Sequence, residues 1–297
     1  MEELKTTDVS KENPQIMILE DKPEDSEPPK EKLTVAGMIL GGLAIYFVTI
    51  FGISFLLGGI IASIFDLNTV EGTANYINTV GIISEALIII WAGWLLKRHS
   101  YLNLTVPDDR KTLSQNLLWL IVILIAFLYA ESILSVLIGG FLNAEGAVQQ
   151  QSGIVIGGQQ LLSILNVIVM APLAEEIVCR GAVYGGIRRK LGVVPSVILG
   201  GIVFGLIHFN GWISLVMMFM GMVMCVVYEK TGSLIYTIIL HMINNAVSMF
   251  SMYLGVGFII SENNVINIFL LVIASVITAF GCSKLKRAGS NQGGKER

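Results

Sequence analysis

The sequence predicts an all-α fold, a polytopic transmembrane helical bundle with about eight spans. Of its 297 residues, 54% are hydrophobic and only 14% are charged, whereas soluble domains carry roughly 25% charged residues. The mean hydropathy is +0.74, and long apolar runs recur from residue 34 onward. This composition argues against an ordinary soluble domain and indicates an integral, multi-pass membrane protein embedded in the lipid bilayer.

Eight apolar stretches approach the roughly 20 residues that an α-helix needs to cross the hydrocarbon core. Ahead of them, residues 1–32 are rich in Pro, Glu, Asp and Lys, and we expect a disordered tail because this segment buries too little apolar surface to fold. The first stretch contains two Gly-Gly pairs, and one interpretation is a span followed by an interfacial turn. The predicted spans are 34–63, 79–96, 114–140, 161–187, 194–209, 212–228, 233–253 and 264–282.

The basic residues are distributed as a membrane protein of this topology requires. With eight spans, the two tails and every second loop lie on one side, and these segments contain every Lys and Arg except Arg180. The positive-inside rule therefore predicts that both termini are cytoplasmic. An incorrect number of spans would scatter the charges over both sides, so the same pattern favours eight.

Ionisable side chains within the predicted spans are candidates for function, because each one costs roughly 2.5–3.5 kcal/mol near the bilayer centre. Glu176 and Arg180 are four residues apart, share a helix face and can form an ion pair. Glu175 has no cation at that spacing, so we expect its carboxylate to be free for proton chemistry. The ionisable residues in the spans are Glu85, Glu131, Glu175, Glu176, Arg180, His208 and His241.

Several of these side chains can reach one polar cavity. Glu175 lies about 20 Å along its helix from the basic end of the fourth span, and His208 lies equally far into the fifth. His241 is shallower in the seventh span, with Asn245 one helical turn deeper on the same face. Tilted helices could bring these groups together.

Three short motifs carry a resemblance to a known family. They are "EEIVCR", "FGLIH" and "HMINN", with the forms EExxxR, FxxxH and HxxxN. In this order, on separate spans, they resemble the motifs of the CPBP (Abi) intramembrane proteases, which include CAAX prenyl endopeptidases of the Ras-converting type. The resemblance covers residues 161 to about 253.

The resemblance implies a role for each motif residue. Glu175 and His208 would activate the attacking water, whereas His241 and Asn245 would stabilise the tetrahedral intermediate. By the same resemblance, Glu176 and Arg180 would be supporting residues that organise the site.

The second motif departs from the family pattern. Many family members have an asparagine three residues after the second-motif histidine, but here Asn210 follows His208 by two residues and Trp212 follows it by four. This difference leaves the surroundings of His208 open.

The family also implies a function. We expect an intramembrane endopeptidase that hydrolyses a membrane-associated peptide or protein, in CAAX-type, leader-peptide or bacteriocin-related processing, and no nucleic-acid partner. The compact loops favour a bacterial cell-membrane protein. The corresponding domains are a cytoplasmic tail at 1–32, N-terminal spans at 33–160, a catalytic core at 161–253, a last span at 254–283 and a cytoplasmic tail at 284–297.

A metal ion is an open question. Glu175, His208 and His241 could provide the three protein ligands of a catalytic zinc site, as in a metalloprotease. The HExxH arrangement is absent from the sequence. The family has been described both as metalloproteases and as metal-free, glutamate-dependent enzymes. We favour the absence of a tightly bound metal.

Other interpretations of the same residues stay open. The glutamates could form a structural cluster with Arg180, and the histidines could make interhelical hydrogen bonds. Asn245 could serve packing rather than catalysis, and Asn244 is a rival for either role. For Glu85 and Glu131 we favour a structural role. The alternative functions are a proton-coupled membrane transporter and a non-proteolytic binding or immunity protein.

Overall fold

The chain folds into helices joined by short connections in a computed structural model that describes residues 34–98, 103–107, 109–142, 158–209 and 211–287. These residues contain no strand, which confirms the all-α prediction. The predicted tail at 1–32, most of the loop at 141–160, Asn210 and residues 288–297 lie outside the described residues. The helices are α1 Val35–Ala62, α2 Val70–Arg98, α3 Arg110–Phe141, α4 Gln160–Arg188, α5 Val193–Ile207, α6 Ile213–Thr231, α7 Leu234–Leu254 and α8 Asn264–Lys284.

Seven of these eight helices are long and apolar enough to cross a membrane, and α5 is not. The 15 residues of α5 extend only about 22 Å at 1.5 Å per residue, less than the roughly 30 Å of the hydrocarbon core. The predicted length of the fifth span, 194–209, is therefore wrong, because the helix covers Val193–Ile207 and is too short to cross the hydrocarbon core by itself. The helix ends because the chain turns back at Phe209 and Gly211, which have φ angles of 41° and 43°.

The structure also corrects both helices near the start of the bundle. The first is one continuous helix of 28 residues, with no interfacial turn at its Gly-Gly pairs. The second begins nine residues before the predicted start, because Thr69 caps it through a 3.0 Å hydrogen bond from the N–H of Gly72. The added turns contain Asn78, whose amide side chain bonds to Ser163 and Asn166 of α4.

The fourth helix lies at the centre of the bundle, where α1, α2, α5, α6 and α7 all contact it. Two π-helical segments interrupt it, Ile164–Met170 and Ile177–Tyr184, and the α-helical turns Ala171–Glu176 lie between them. Such wide turns are rare and frequently mark functional sites. Seven of the eight residues in the second segment are buried, so α4 is the core of the molecule as well as the helix that carries the first motif.

Glycines allow α5 and α6 to pack closely as a helical hairpin. A Cβ atom at Gly201 would lie 2.7 Å from the carbonyl oxygen of Met218, and one at Gly205 would collide with the carbonyl oxygen of Ser214. Only glycine allows backbones this near to each other. This packing fixes Phe204, between the two glycines, and His208, just after the helix, against the rest of the bundle.

Candidate active site

The carboxylate of Glu176 connects the first motif to the third. Its Oε1 lies 2.9 Å from Nη1 of Arg180, the pairing that the sequence spacing predicts. The same oxygen lies 2.9 Å from Nδ1 of His241 on α7. Glu176 and Arg180 are fully buried, and His241 is 2% exposed. The burial of these charged groups is thus offset by direct pairing across two helices.

This contact fixes the orientation of the His241 ring. An ionised carboxylate only accepts hydrogen bonds, so Nδ1 of His241 donates to Glu176. The opposite ring nitrogen, Nε2, then faces Glu175, 3.7 Å from its Oε2. Glu176 therefore holds the imidazole with one nitrogen directed at the neighbouring carboxylate.

The carboxylate of Glu175 is buried but incompletely paired. Its Oε1 accepts a 3.3 Å hydrogen bond from the hydroxyl of Tyr46 on α1. Its Oε2 is buried and has no hydrogen-bond partner within the described residues. A buried acceptor without a partner is unusual in proteins and indicates a functional role or a site for a small ligand such as water.

The aromatic ring of Phe204 lies in the middle of the motif residues. The guanidinium carbon of Arg180 is 4.4 Å from its centroid, a distance typical of a cation–π contact. The ring of His241 packs edge-on at 5.6 Å and the ring of His208 packs at 4.9 Å. The phenylalanine of the second motif therefore joins residues from all three motifs.

His208 is the predicted residue that the structure places least directly at the site. It is half-buried just beyond the end of α5, and its Nδ1 lies 2.8 Å from the carbonyl oxygen of Phe204. Within the described part of the chain, no hydrogen bond or ion pair joins it to Glu175 or His241. Among the described residues, the ring of Phe204 connects it to the group. Since the carbonyl accepts, Nδ1 donates and Nε2 of the neutral ring is an acceptor.

Asn245 donates a hydrogen bond to a backbone carbonyl of α4 that has no backbone donor. In the first π-helical segment the N–H of Ala171 donates to the carbonyl of Asn166, five residues back. The next bond in that pattern would reach the carbonyl of Val167 from residue 172, which is Pro172 and has no N–H. Nδ2 of Asn245 donates to that carbonyl instead, at 2.9 Å. One amide hydrogen of Asn245 thus attaches α7 to α4, and the other is not needed for this bond.

Two further carboxylates lie near the motif residues. Glu85 on α2 is buried and interacts electrostatically with Glu175. Glu131 on α3 interacts electrostatically with His241, and its Oε2 is buried without a hydrogen bond in the described structure. It also lines a cavity of about 540 Å³ between α3, α6 and α8. The favoured structural role of both glutamates stays a prediction, and their interactions with Glu175 and His241 place them beside the motif residues.

Tyr46 was also missed, although the sequence contains a weak indication of its position. Met38, Gly42 and Tyr46 are four residues apart, and all are buried on one face of α1. A Cβ atom at Gly42 would collide with the side chain of Val183 on α4. The small residue allows α1 to approach α4, and the tyrosine one turn later reaches Glu175.

The three candidate zinc ligands do not form one donor set. No group of three His, Cys, Asp or Glu side chains among the described residues is arranged to hold a metal ion. Glu175 and His241 are neighbours, and each histidine has its Nδ1 engaged as metal-bound histidines usually do. The third ligand, His208, is turned to its own helix end. The residues therefore do not fit a shared zinc ion in this arrangement.

Comparison with known proteins agrees with the motifs. Residues 157–247 match the family model described as type II CAAX prenyl endopeptidase Rce1-like. An uncharacterized protein of Mycoplasma capricolum is 32% identical over 187 residues, which cover 58% of this chain and 53% of the relative. The chain thus matches about half the length of that relative. No solved structure matches it.

All three motifs, with Glu175, His208 and His241, lie within the matched segment. The match of residues 157–247 to the Rce1-like family model agrees with the resemblance to the CPBP intramembrane proteases that the motifs carry.

Proposed function

We propose that the protein is an intramembrane endopeptidase that hydrolyses a peptide bond in a membrane-associated peptide or protein. The observation that carries the proposal is the pairing of Glu175 Oε2 with His241 Nε2 at 3.7 Å, inside a helical bundle. The match of residues 157–247 to a peptidase family supports it. The same carboxylate oxygen has no hydrogen-bond partner among the described residues, so it is available to a water molecule.

In the mechanism that we propose, Glu175 is the general base. Its unpaired Oε2 would hold the attacking water and accept its proton, a task that contributes roughly 10²–10⁴-fold to rate. His208 would assist, since its Nε2 is free to accept a proton. Glu175 would then deliver a proton to the leaving amine.

The remaining motif residues would stabilise the negative charge of the tetrahedral intermediate and orient the groups that do so. His241, when protonated, would direct an N–H from Nε2 at the negative charge that develops on the carbonyl oxygen. Its orientation by Glu176 at 2.9 Å supports this role, because the donor is fixed before the reaction. The second amide hydrogen of Asn245 would be a further donor.

We propose that hydrolysis needs no bound metal, because the candidate ligands do not converge. We also propose a location in a bacterial cell membrane with both termini cytoplasmic, on the distribution of basic residues. This orientation requires that the short α5 carries the chain from one side of the membrane to the other, as the predicted fifth span does. The family description makes a CAAX-type C-terminal peptide one candidate substrate. A leader peptide or a bacteriocin-related protein is another.

Comparative mapping of protein termini tests the function with no assumption about the substrate. Membranes from cells that produce the wild-type chain are compared with membranes containing Glu175→Gln, and Glu71→Gln serves as the control because Glu71 is an exposed carboxylate on α2. We expect new termini in the wild type and in Glu71→Gln that are absent from Glu175→Gln. Identical termini in all three samples would refute peptidase activity.

A further inference from the structure

A long cavity lies between α3, α6 and α8. Its volume is about 540 Å³, within the range of ligand-binding cavities, roughly 300–1,000 Å³. On α6 the lining residues recur at helical spacing from Val216 to Lys230, so the cavity follows one face of that helix over about 21 Å. This length accommodates about six residues of an extended peptide, at roughly 3.3 Å per residue.

The walls of this cavity are mostly apolar. Phe127, Val223 and Leu271 line it, one from each of the three helices. The hydroxyls of Thr278 and Ser283 also lie in the wall, but both donate to backbone carbonyls of their own helix. The cavity therefore favours a ligand whose surface is largely apolar, such as a lipid chain or a peptide with apolar side chains.

Glu131 connects this cavity to the proposed catalytic residues. It lines the cavity from α3, and its carboxyl interacts with the side chain of Asn244 and with His241, both on α7. Asn244 is only 3% exposed, and its Nδ2 lies 3.9 Å from Sδ of Met220 on α6. His241 in turn faces Glu175. A ligand in the cavity that reaches Glu131 is therefore beside the groups proposed to cleave the peptide bond.

Two buried acceptors at this junction have no donor. Oε2 of Glu131 and Oδ1 of Asn244 are both buried, and neither has a hydrogen-bond partner among the described residues. Carboxylate and amide oxygens accept hydrogen bonds, and buried acceptors are rarely left without a donor, so we expect a bound group to supply one. A lipid chain has no N–H group. A peptide has one at nearly every residue, and within a membrane each of these needs an acceptor.

We propose that this cavity binds the part of the substrate next to the scissile bond, as an extended apolar peptide segment. Backbone N–H groups of the segment donate to Glu131 and Asn244, and its side chains pack against the apolar walls. In such a mode the main-chain bonds provide affinity and the side-chain pockets provide specificity. The substrate class is a peptide with several apolar residues beside the cleavage site. The proposal rests on the proposed function, and it gives Glu131 a binding role in place of the structural role favoured from the sequence.

Photoaffinity labelling of the full-length protein in detergent tests the site and requires no cleavage. The probe is an acetylated hexapeptide of Val and Leu with one photoreactive leucine. Its matched control is the same peptide with every backbone nitrogen methylated, which removes the N–H donors. We expect labelled residues on the cavity faces of α3, α6 and α8. Labelling should fall about tenfold or more in Glu131→Leu, as expected for the loss of a hydrogen bond to a charged group, and equally with the methylated peptide.

Two variants of α8 separate the cavity from the outer surface of that helix. Ala279→Phe places an aromatic ring in the cavity and should abolish labelling. Val276→Phe, at an exposed position that does not line the cavity, should leave it unchanged. Thermal unfolding checks that every variant folds.

Three results would overturn the proposal: equal labelling by the methylated peptide, wild-type labelling of Ala279→Phe, or labelling of the cavity by a photoreactive fatty acid but not by the peptide. Cavity labelling of a protein that produces no new termini would refute the proposed function and not the peptide site.

Discussion

His241 is positioned by the two adjacent carboxylates of α4. Glu176 fixes one ring nitrogen at 2.9 Å, and Glu175 lies 3.7 Å from the other. Consecutive residues of a helix point in directions about 100° apart, because the helix has 3.6 residues per turn, so a side chain on a neighbouring helix can contact both. Because the two glutamates are adjacent, Glu176 can orient the ring of His241 while Glu175 lies beside the opposite ring nitrogen.

The buried pair of Glu176 and Arg180 gives a prediction about stability. Arg180→Met removes the cation and leaves a buried carboxylate, which typically costs about 3–5 kcal/mol, whereas replacing both partners is often much less harmful. We therefore expect a large loss of thermal stability in Arg180→Met and partial recovery in Glu176→Gln/Arg180→Met, measured by unfolding in detergent. Additive losses in the double variant would contradict this coupling.

The hydroxyl of Tyr46 gives a prediction about activity. Hydrogen bonds to charged groups contribute roughly 1.5–3 kcal/mol, so Tyr46→Phe should lower the cleavage rate by about tenfold or more through a less well positioned Glu175. Tyr129→Phe is the control, because that hydroxyl bonds to the carbonyl of Ile259, outside the three motifs. Equal rates for Tyr46→Phe and the wild type would show that the contact does not position the base.

At the residue scale, sequence reasoning worked where spacing along one helix decides the contact. The Glu176–Arg180 pair follows from four-residue spacing, and the structure confirms it. The contact of Tyr46 with Glu175 joins residues 129 positions apart. It depends on how α1 packs on α4, and no local pattern in the chain specifies that packing.

The interrupted fourth helix is the element that shapes the site. Pro172 leaves the carbonyl of Val167 without a backbone donor, and Asn245 fills that role at 2.9 Å. The proline of one helix and the asparagine of another thus form a matched pair. The π-helical turn and its hydrogen bond to Asn245 attach α7, which carries His241, to the helix that carries the two glutamates.

This pairing predicts a specific rescue. Asn245→Leu should destabilise the protein by about 1 kcal/mol, because it leaves the partly buried carbonyl of Val167 without a hydrogen-bond donor. Pro172→Ala restores a backbone N–H that can bond to the carbonyl of Val167, so Asn245→Leu should be less harmful in that background. The four proteins of the double-mutant cycle are compared by thermal unfolding. If Asn245→Leu lowers stability equally in both backgrounds, the hydrogen bond of Asn245 to the carbonyl of Val167 does not contribute to stability.

At the element scale, the sequence predicts the helices but not all of their lengths. The apolar run at 194–209 predicts a span, whereas α5 stops at Ile207 because the close packing of α5 on α6 requires an early turn. The predicted second span starts at 79 and leaves out Asn75 and Asn78, which belong to α2 in the structure. The partners of these two side chains lie at the start of α4 and in the residue before it, and such long-range pairing cannot be derived from the composition of one segment.

At the scale of the whole molecule, α4 contacts five other helices, and the charged side chains of the first motif are buried among them. The match to the Rce1-like family model covers 157–247, but Tyr46 and Glu85 interact with Glu175 from helices outside that segment. The site is consequently a property of the whole bundle. A chain shortened to the matched segment would lack two of the side chains that surround the proposed base.

The metal-free mechanism gives a prediction for the intact protein. Treatment with a strong chelator, followed by its removal, should leave the cleavage rate within about twofold of the untreated value, because the three candidate ligands do not share one site among the described residues. Elemental analysis of the same preparation should find less than one zinc per chain. A loss of activity that added zinc restores would contradict the proposed mechanism.

The most direct test of the proposed peptidase site is the cleavage rate of the purified, reconstituted protein on a peptide identified by terminus mapping. Wild type, Glu175→Gln and His241→Gln are compared with Glu71→Gln at equal amounts of folded protein. We predict rates reduced about 10²–10⁴-fold for Glu175→Gln and His241→Gln, as expected for loss of a general base or an oxyanion donor, and an unchanged rate for Glu71→Gln. Wild-type rates in both Glu175→Gln and His241→Gln would contradict the proposed site.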